Sequence, residues 1–393
     1  MIPEIRARLN AEHTEERYSS FLRELDTTYR FTTDFRTAET PIFLTREVKR
    51  MLVEACSEIV AQLRTPEFRA HAADAIPAGL SVPGETGHPT FLQIDFGLCR
   101  AADGSIIPQL IELQGFPSLY GYQAHLNDTI RKHFPIPPGF GASFNGFVRD
   151  SYEQLLRDVI VGKEDPQNVV LLEIDPEHQK TRIDFAVMER MLGIRIVDLM
   201  SVTKRGRSLF YKENGKEITI RRIYNRVIFD ELQRKGLQPE FRFQEEIDAE
   251  WVGHPNWYFR ISKHTLPFLK SRYVPECRLL STIETYPDDL SAYVLKPLYS
   301  FAGLGVDINV TKEKLDAVTD RSNYLLQRKV EYADLIKTPD GFSKAEIRMM
   351  FLWDKEPLLV KNLVRLSKGM MMGVDFNKNR TWVGSTIAYH EAL

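Results

Sequence analysis

The chain has 393 residues, 43% of them hydrophobic and 11% aromatic, so it can bury more than one core and two or three subdomains are expected. Lys+Arg (52) nearly balance Asp+Glu (54) and the pI is near 6.5, which excludes a global field that would gather nucleic acid or an anionic membrane. Any anion has to be held by a local site. Cys56, Cys99 and Cys277 are far apart and lack CxxC spacing, which fits a reducing compartment and argues against zinc. With no apolar leader and no long apolar run, a cytoplasmic protein is expected, with neither membrane nor nucleic acid as partner.

From Glu12 to about Ala73 the pattern is helical. Val48, Met51, Leu52, Ala55, Ile59 and Leu63 recur at the spacing of an amphipathic helix, and Thr45 is placed to cap it. Residues 1–90 therefore read as a helical N-terminal region, a scaffold without chemistry of its own. The Gly- and Pro-rich stretch Ala75 to Pro89 leads into strands, Phe91 to Leu98 and Ile106 to Gln114, around the turn Asp103-Gly104-Ser105. A loop is expected from there to about Phe147. A βαβ unit follows: strand Asn168 to Ile174, helix Thr181 to Leu192 closed by Gly193, and strand Ile194 to Leu199. A hairpin through Glu213-Asn214-Gly215 and a polar helical region to about Ala249 complete this part. From Trp251 onward short strands and helices surround one glycine-rich loop. These segments divide the chain at 1–90, 91–165, 166–250 and 251–393.

Five stretches carry chemistry. In the hairpin, residues two apart share a face, so Gln93 and Asp95 point one way while Leu92, Ile94 and Phe96 point the other; Glu112 and Gln114 form a second polar pair. Asp95 and Glu112 suit magnesium, which takes one or two carboxylates completed by water and phosphate, although a hairpin with one solvated face has the same pattern. In YVLKPLYSFAGLGV, a strand delivers Lys296 to its end, and Ser300, Gly303 and Gly305 lie in a loop whose backbone amides can approach phosphate. It has neither Walker A nor dinucleotide spacing, and a tight turn is the competing reading. Lys263 opens a short apolar helix, a second cation for phosphate or an ordinary surface lysine. Gln327 ends an apolar strand, and the backbone at Arg328, Lys329 and Val330 is placed to meet an adenine edge. Glu346 and Arg348 share a strand face, and Arg365 follows one strand later; paired donors suit a transferring phosphoryl group, and surface ion pairing is the alternative.

In this order the stretches resemble the ATP-grasp superfamily, in the permuted arrangement of glutathionylspermidine synthases and eukaryotic glutathione synthetase. Gln93-Ile94-Asp95 looks like the family's R-x-D strand and Glu112-Leu113-Gln114 its E-x-N strand. Ser262 to Leu269 looks like its S/N-K-x-x-L-P-x-L segment, and Lys296 to Val306 its K-P-x-x-S-x-x-G-x-G-V segment. Gln327 to Val330 is similar to its Q-x-x-V hinge, Arg348 to Phe351 to its R-V-F-V strand, and Ile223 to Arg226 to its Y-R-R element.

The resemblance implies an α/β (α+β) ATP-grasp fold with a βαβ substrate-side domain and an N-terminal helical region. It further implies an ATP- and Mg2+-dependent ligase joining a small carboxylate to an amine through an acyl phosphate. Asp95, Glu112 and Gln114 would bind magnesium; Lys263, Lys296, Ser300, Gly303, Gly305, Gln327, Lys329 and Val330 would bind ATP; Arg348 and Arg365 would act on the transferring group. Two departures stand out. Gln93 replaces the family's arginine, and Gln114 its asparagine ligand, so an ATP-binding protein of this fold with lost or altered catalysis is the second expectation.

Overall fold

The computed structural model describes residues 1–300, 303–369, 372, 377 and 379–392. The N-terminal region holds four helices, Pro3–Ala11, Glu15–Thr27, Arg46–Leu63 and Pro66–Ala73. Thr14, Thr45 and Thr65 cap the last three by accepting the amides of Arg17, Val48 and Phe68. The apolar stripe of Arg46–Leu63 is buried as its spacing requires.

The continuous helical pattern expected to Ala73 is broken between Thr28 and Thr45, where β-branched residues and Pro41 interrupt the period. There the chain crosses to the far end of the sequence. Thr37 bridges to Ser385, and Ile42–Phe43 pairs in parallel with Ala388 and Tyr389. The crossing is tight: Gly384 has φ 115°, and a Cβ on it would lie 2.4 Å from the Arg36 carbonyl.

The main sheet is antiparallel and six-stranded. Its order runs Gly384–Thr386, Pro357–Ser367, Gly341–Trp353, Phe91–Arg100, Ile106–Gln114, with Ile336–Thr338 on Gly341–Trp353. The expected hairpin thus pairs with a strand some 250 positions away, with Asp95 opposite both Glu112 and Arg348 and with Glu346 opposite Arg365. Leu92, Ile94, Phe96, Ile347, Met349, Val364 and Leu366 fill a core on one face. By the two-residue period, the other face takes the polar row.

The βαβ unit belongs to a four-stranded parallel sheet ordered Glu250–Val252, Arg222–Asn225, Val169–Glu173, Arg195–Asp198. Gly193 sits at the end of helix Arg182–Leu192 in the left-handed conformation expected of it, φ 76°. The polar helical region before Ala249 shrinks to Phe229–Arg234, because Phe241 and Phe243 turn inward to a cluster around Trp251.

The stretch expected as loop to Phe147 contains a helix, Tyr120–His133, and another, Arg149–Ile160, begins just beyond it. Tyr120–His133 is buried on most of its circumference, Gln123, His125 and Thr129 included, so no one-sided stripe announces it. Gly121, which reads as a turn signal, serves close packing, since a Cβ there would meet the Met188 sulfur at 2.8 Å. A third sheet, antiparallel, orders Cys277–Leu279, Tyr324–Arg328, Tyr293–Pro297. Among the described residues no helix is long and apolar enough to cross a membrane.

Candidate functional site

The sheet register assembles an ionic network on the polar face of the main sheet. Asp95 is buried, and Arg348 donates to both its oxygens, from Nε at 2.6 Å and Nη2 at 2.7 Å. Arg365 Nη2 reaches the same carboxylate at 2.7 Å and also pairs with Glu346, whose other oxygen accepts from Tyr332 at 2.7 Å. Arg348 Nη1 donates to Gln93 Oε1 at 2.9 Å, Gln114 donates to that same oxygen, and Gln93 Nε2 donates to the Ser118 carbonyl at 2.7 Å. Burial raises the pKa of Asp95, but the Arg348 and Arg365 charges outweigh it and hold the carboxyl below its usual value. Burial raises that of Glu346, and the opposing Arg365 charge does not cancel it.

Across from this network lie two lysines in a different condition. Lys263 opens the short 3-10 helix Lys263–Phe268, started by the Ser262 hydroxyl accepting from the His264 amide at 3.2 Å. Its amine donates to the Ser300 carbonyl at 2.6 Å. Lys296, on strand Tyr293–Pro297, donates to the Ile111 carbonyl at 3.2 Å. Both side chains are buried, at 6% and 9% exposure, and among the described residues neither has a carboxylate oxygen within ion-pair distance. Burial lowers both pKa values, and the nearby Glu112 charge only partly restores them.

A cavity of about 1080 Å³ joins the two groups. Glu112, Lys263, Lys296, Gln327, Glu346 and Arg365 line it, together with Gly303 and the chain from Arg328 to Tyr332. A second cavity of about 270 Å³ shares Glu112, Lys263 and Arg365 with the first and adds Gln114, Ser300 and Arg348. The structure therefore gathers Glu112, Gln114, Lys263, Lys296, Ser300, Gly303, Gln327, Lys329, Val330, Arg348 and Arg365 around one space.

Two expected residues stand apart from that space, and a third only walls it. Asp95 lines neither cavity, being enclosed by its arginines. Gly305 turns the chain with φ 72°, where a Cβ would meet Pro297 at 2.8 Å, and lines neither. Lys329 contributes to the wall, but its amine is tied to the Ser291 carbonyl. Phe301 and Ala302, in the middle of the glycine loop, lie outside the described residues.

Sequence reasoning missed two contributors. The crossing after Thr28, assigned no chemistry, brings Phe35 and Arg36 to both cavities. Arg36 pairs with the buried Glu39. The only sequence signal was the break in helical period. Arg226, noted only within the Y-R-R element, is 3% exposed and stacks on Phe116 at 4.9 Å, with Nε and Nη1 unpartnered among the described residues. Phe116 and Thr181, which it touches, line the smaller cavity.

The donors can be weighed against the groups the resemblance implies. A polyphosphate fits the lysine side, where among the described residues two buried amines have no acid partner; the buried Gln327 Oε1, also without a partner among them, is an acceptor and suits a donor such as an N–H of a base. Magnesium fits in a narrower form. Asp95 is fully engaged by guanidiniums, and Gln114 spends its amide nitrogen on Gln93, which leaves its Oε1 as the atom a metal could take. Among the described residues no three His, Cys, Asp or Glu side chains form a metal-holding group. Glu112 remains as one carboxylate, sufficient where phosphate and water complete the shell.

No family model matches the chain, and no curated protein does. Among solved structures, the whole chain is similar to a glutathione synthetase-like protein. That structure is the effector GSS30 of Globodera pallida in its apo form, with a TM-score of 0.58 and 11% identity over 100% of this chain and 98% of that one. The fold is therefore α+β and of the glutathione synthetase-like kind, the class expected from the sequence.

Proposed function

We propose that the chain is an ATP-dependent ligase of ATP-grasp type, joining a small carboxylate to an amine through an acyl phosphate. The observation that carries this reading is the pair Lys263 and Lys296: two buried cations, facing one cavity, with carbonyl partners but, among the described residues, no carboxylate in contact. Desolvated cations of this kind are costly unless an anion arrives, and ATP phosphates supply one.

A carboxylate does not condense with an amine directly, because oxide is too poor a leaving group. Phosphorylation of the carboxylate by the γ-phosphate, with ADP leaving, converts that oxygen to phosphate, which the amine then displaces. In this chain Lys263 and Lys296 hold the phosphates, and the Gln327 to Val330 wall faces the base. Arg365, on both cavities, meets the carboxylate or the transferring group, and Arg348 does so from the smaller cavity. Glu112 would hold magnesium, which supplies charge neutralisation across the phosphates when bound.

A second reading, ATP binding without transfer, is favoured by one observation. Asp95 and Glu346 already neutralise the two arginines. ADP release over a panel of carboxylate and amine pairs, with mass detection of the condensed product, separates the two. A product lighter by one water than its two substrates supports the ligase, and saturable ATP binding with no ADP release for any pair supports the second reading.

A further inference from the structure

A third cavity, of about 900 Å³, lies elsewhere in the molecule and shares no lining residue with the first two. Its walls come from helix Arg46–Leu63, the Gly-rich turn 139–147 and strand Pro357–Ser367, and none of the expected site residues belongs to it.

Its charges are unbalanced. Five cationic side chains line it, against Asp128 and Glu356. Those two acids are already used, Asp128 by Arg149 and Glu356 by Arg64, each at 2.7 Å. Lys49, Arg131 and Lys361 are left, and among the described residues none has a carboxylate within ion-pair distance. Lys361 is 4% exposed, donates to the Ser143 hydroxyl at 2.6 Å and lies 4.7 Å from the centroid of the Tyr152 ring. Lys49, 7% exposed, donates to the Glu391 carbonyl at 2.9 Å. Arg131 is exposed and donates to the Phe140 carbonyl at 2.8 Å.

Burial lowers the Lys361 pKa to about 8; Asp128 opposes this, while Arg149 and Arg131 add to it. A structure with no use for that cation would lose little by replacing it with an apolar side chain. A second buried group is unmatched on the same wall. His390 is 2% exposed, its Nδ1 lies 3.1 Å from the Glu391 carbonyl, and its Nε2 has no partner among the described residues. Val53, Val60, Phe144, Phe351 and Leu359 give the wall an apolar part, beside the polar Ser57, Asn127 and Asn145.

We propose that this cavity is a second ligand site, separate from the nucleotide cavity, for a small amphipathic anion: a phosphate or carboxylate group seated at Lys361, Lys49 and Arg131, with an apolar body against Val53, Phe144 and Leu359. Uncompensated cations above an apolar floor recognise that combination and reject neutral analogues, which leave the amines unpaired. Strand Pro357–Ser367 carries Lys361 to this cavity and Arg365 to the main one, so the two sites share one rigid element.

The test is calorimetric titration of the full chain with phenyl phosphate and with benzoate, benzyl alcohol serving as the neutral control. At least one anion is expected to bind saturably while the alcohol does not, and the stronger of the two identifies phosphate or carboxylate as the preferred group. Lys361→Met should weaken that binding at least about tenfold, the order lost with one charge-assisted hydrogen bond, and Lys296→Met should leave it unchanged. Arg131→Gln, at an exposed position that folding tolerates, should weaken it about threefold and decides the matter if Lys361→Met does not fold. The proposal is overturned if neither anion saturates, if ATP displaces the probe, or if binding survives the tested cavity variants.

Discussion

The two cation pairs around the main cavity and its smaller neighbour differ in one respect that decides how each is read. Arg348 and Arg365 are met by Asp95 and Glu346, whereas among the described residues Lys263 and Lys296 meet backbone carbonyls and the Ser300 hydroxyl but no carboxylate. A matched buried pair is self-sufficient and says little about ligands. An unmatched one is a structural debt that a bound anion removes. The arginine side is thus a keystone of the sheet, and the lysine side is the sharper pointer to function.

The comparison breaks most visibly at Asp95. Asp95→Ala leaves two buried guanidiniums without their shared acid, and urea denaturation should show a loss of about 3–5 kcal/mol. A loss below about 1 kcal/mol would mean that the network is not a keystone. Lys296→Met should act in the opposite sense. It removes an unpaired buried cation, so stability of the free protein stays level or rises, while ATP affinity falls about 10- to 100-fold by titration calorimetry.

The four-stranded parallel sheet offers a pH test. Burial raises the Glu173 pKa from 4.5 to about 8, the neighbouring Arg226 charge opposing it only in part. The folded state then holds a proton that the unfolded state has released. The stability from this group is full below pH 4.5 and is lost as pH rises through about 8. The slope approaches about 1.4 kcal/mol per pH unit between those limits. Glu173→Gln should flatten the fall, seen as melting temperature against pH, and an unchanged slope would refute the assignment. Smallest is Lys329→Ala: its amine is spent on the Ser291 carbonyl, so ATP affinity and stability should move by less than about 0.5 kcal/mol.

Local periodicity made part of this legible. The period of two placed Gln93 and Asp95 with Glu112 and Gln114 on one face, and the structure sets Gln93 opposite Gln114 and Asp95 opposite Glu112. The cap at Thr45 and Gly193 were equally readable, because their chemistry is local. What escaped depended on distant partners. No local pattern reveals that Asp95 lies opposite Arg348, 253 positions on, and so is enclosed by arginine rather than open to a metal. Helix Tyr120–His133 escaped because burial on most sides erases amphipathic spacing, and Arg36 because its role comes from a crossing that leaves no motif.

The most direct test of the central claim is calorimetric titration of the protein with ATP and magnesium, repeated with Lys263→Met and Lys296→Met. Saturable one-to-one binding that falls at least about tenfold in each variant, with folding intact, is the predicted result. Absence of binding by the unaltered chain, or affinity untouched in both variants, would contradict it.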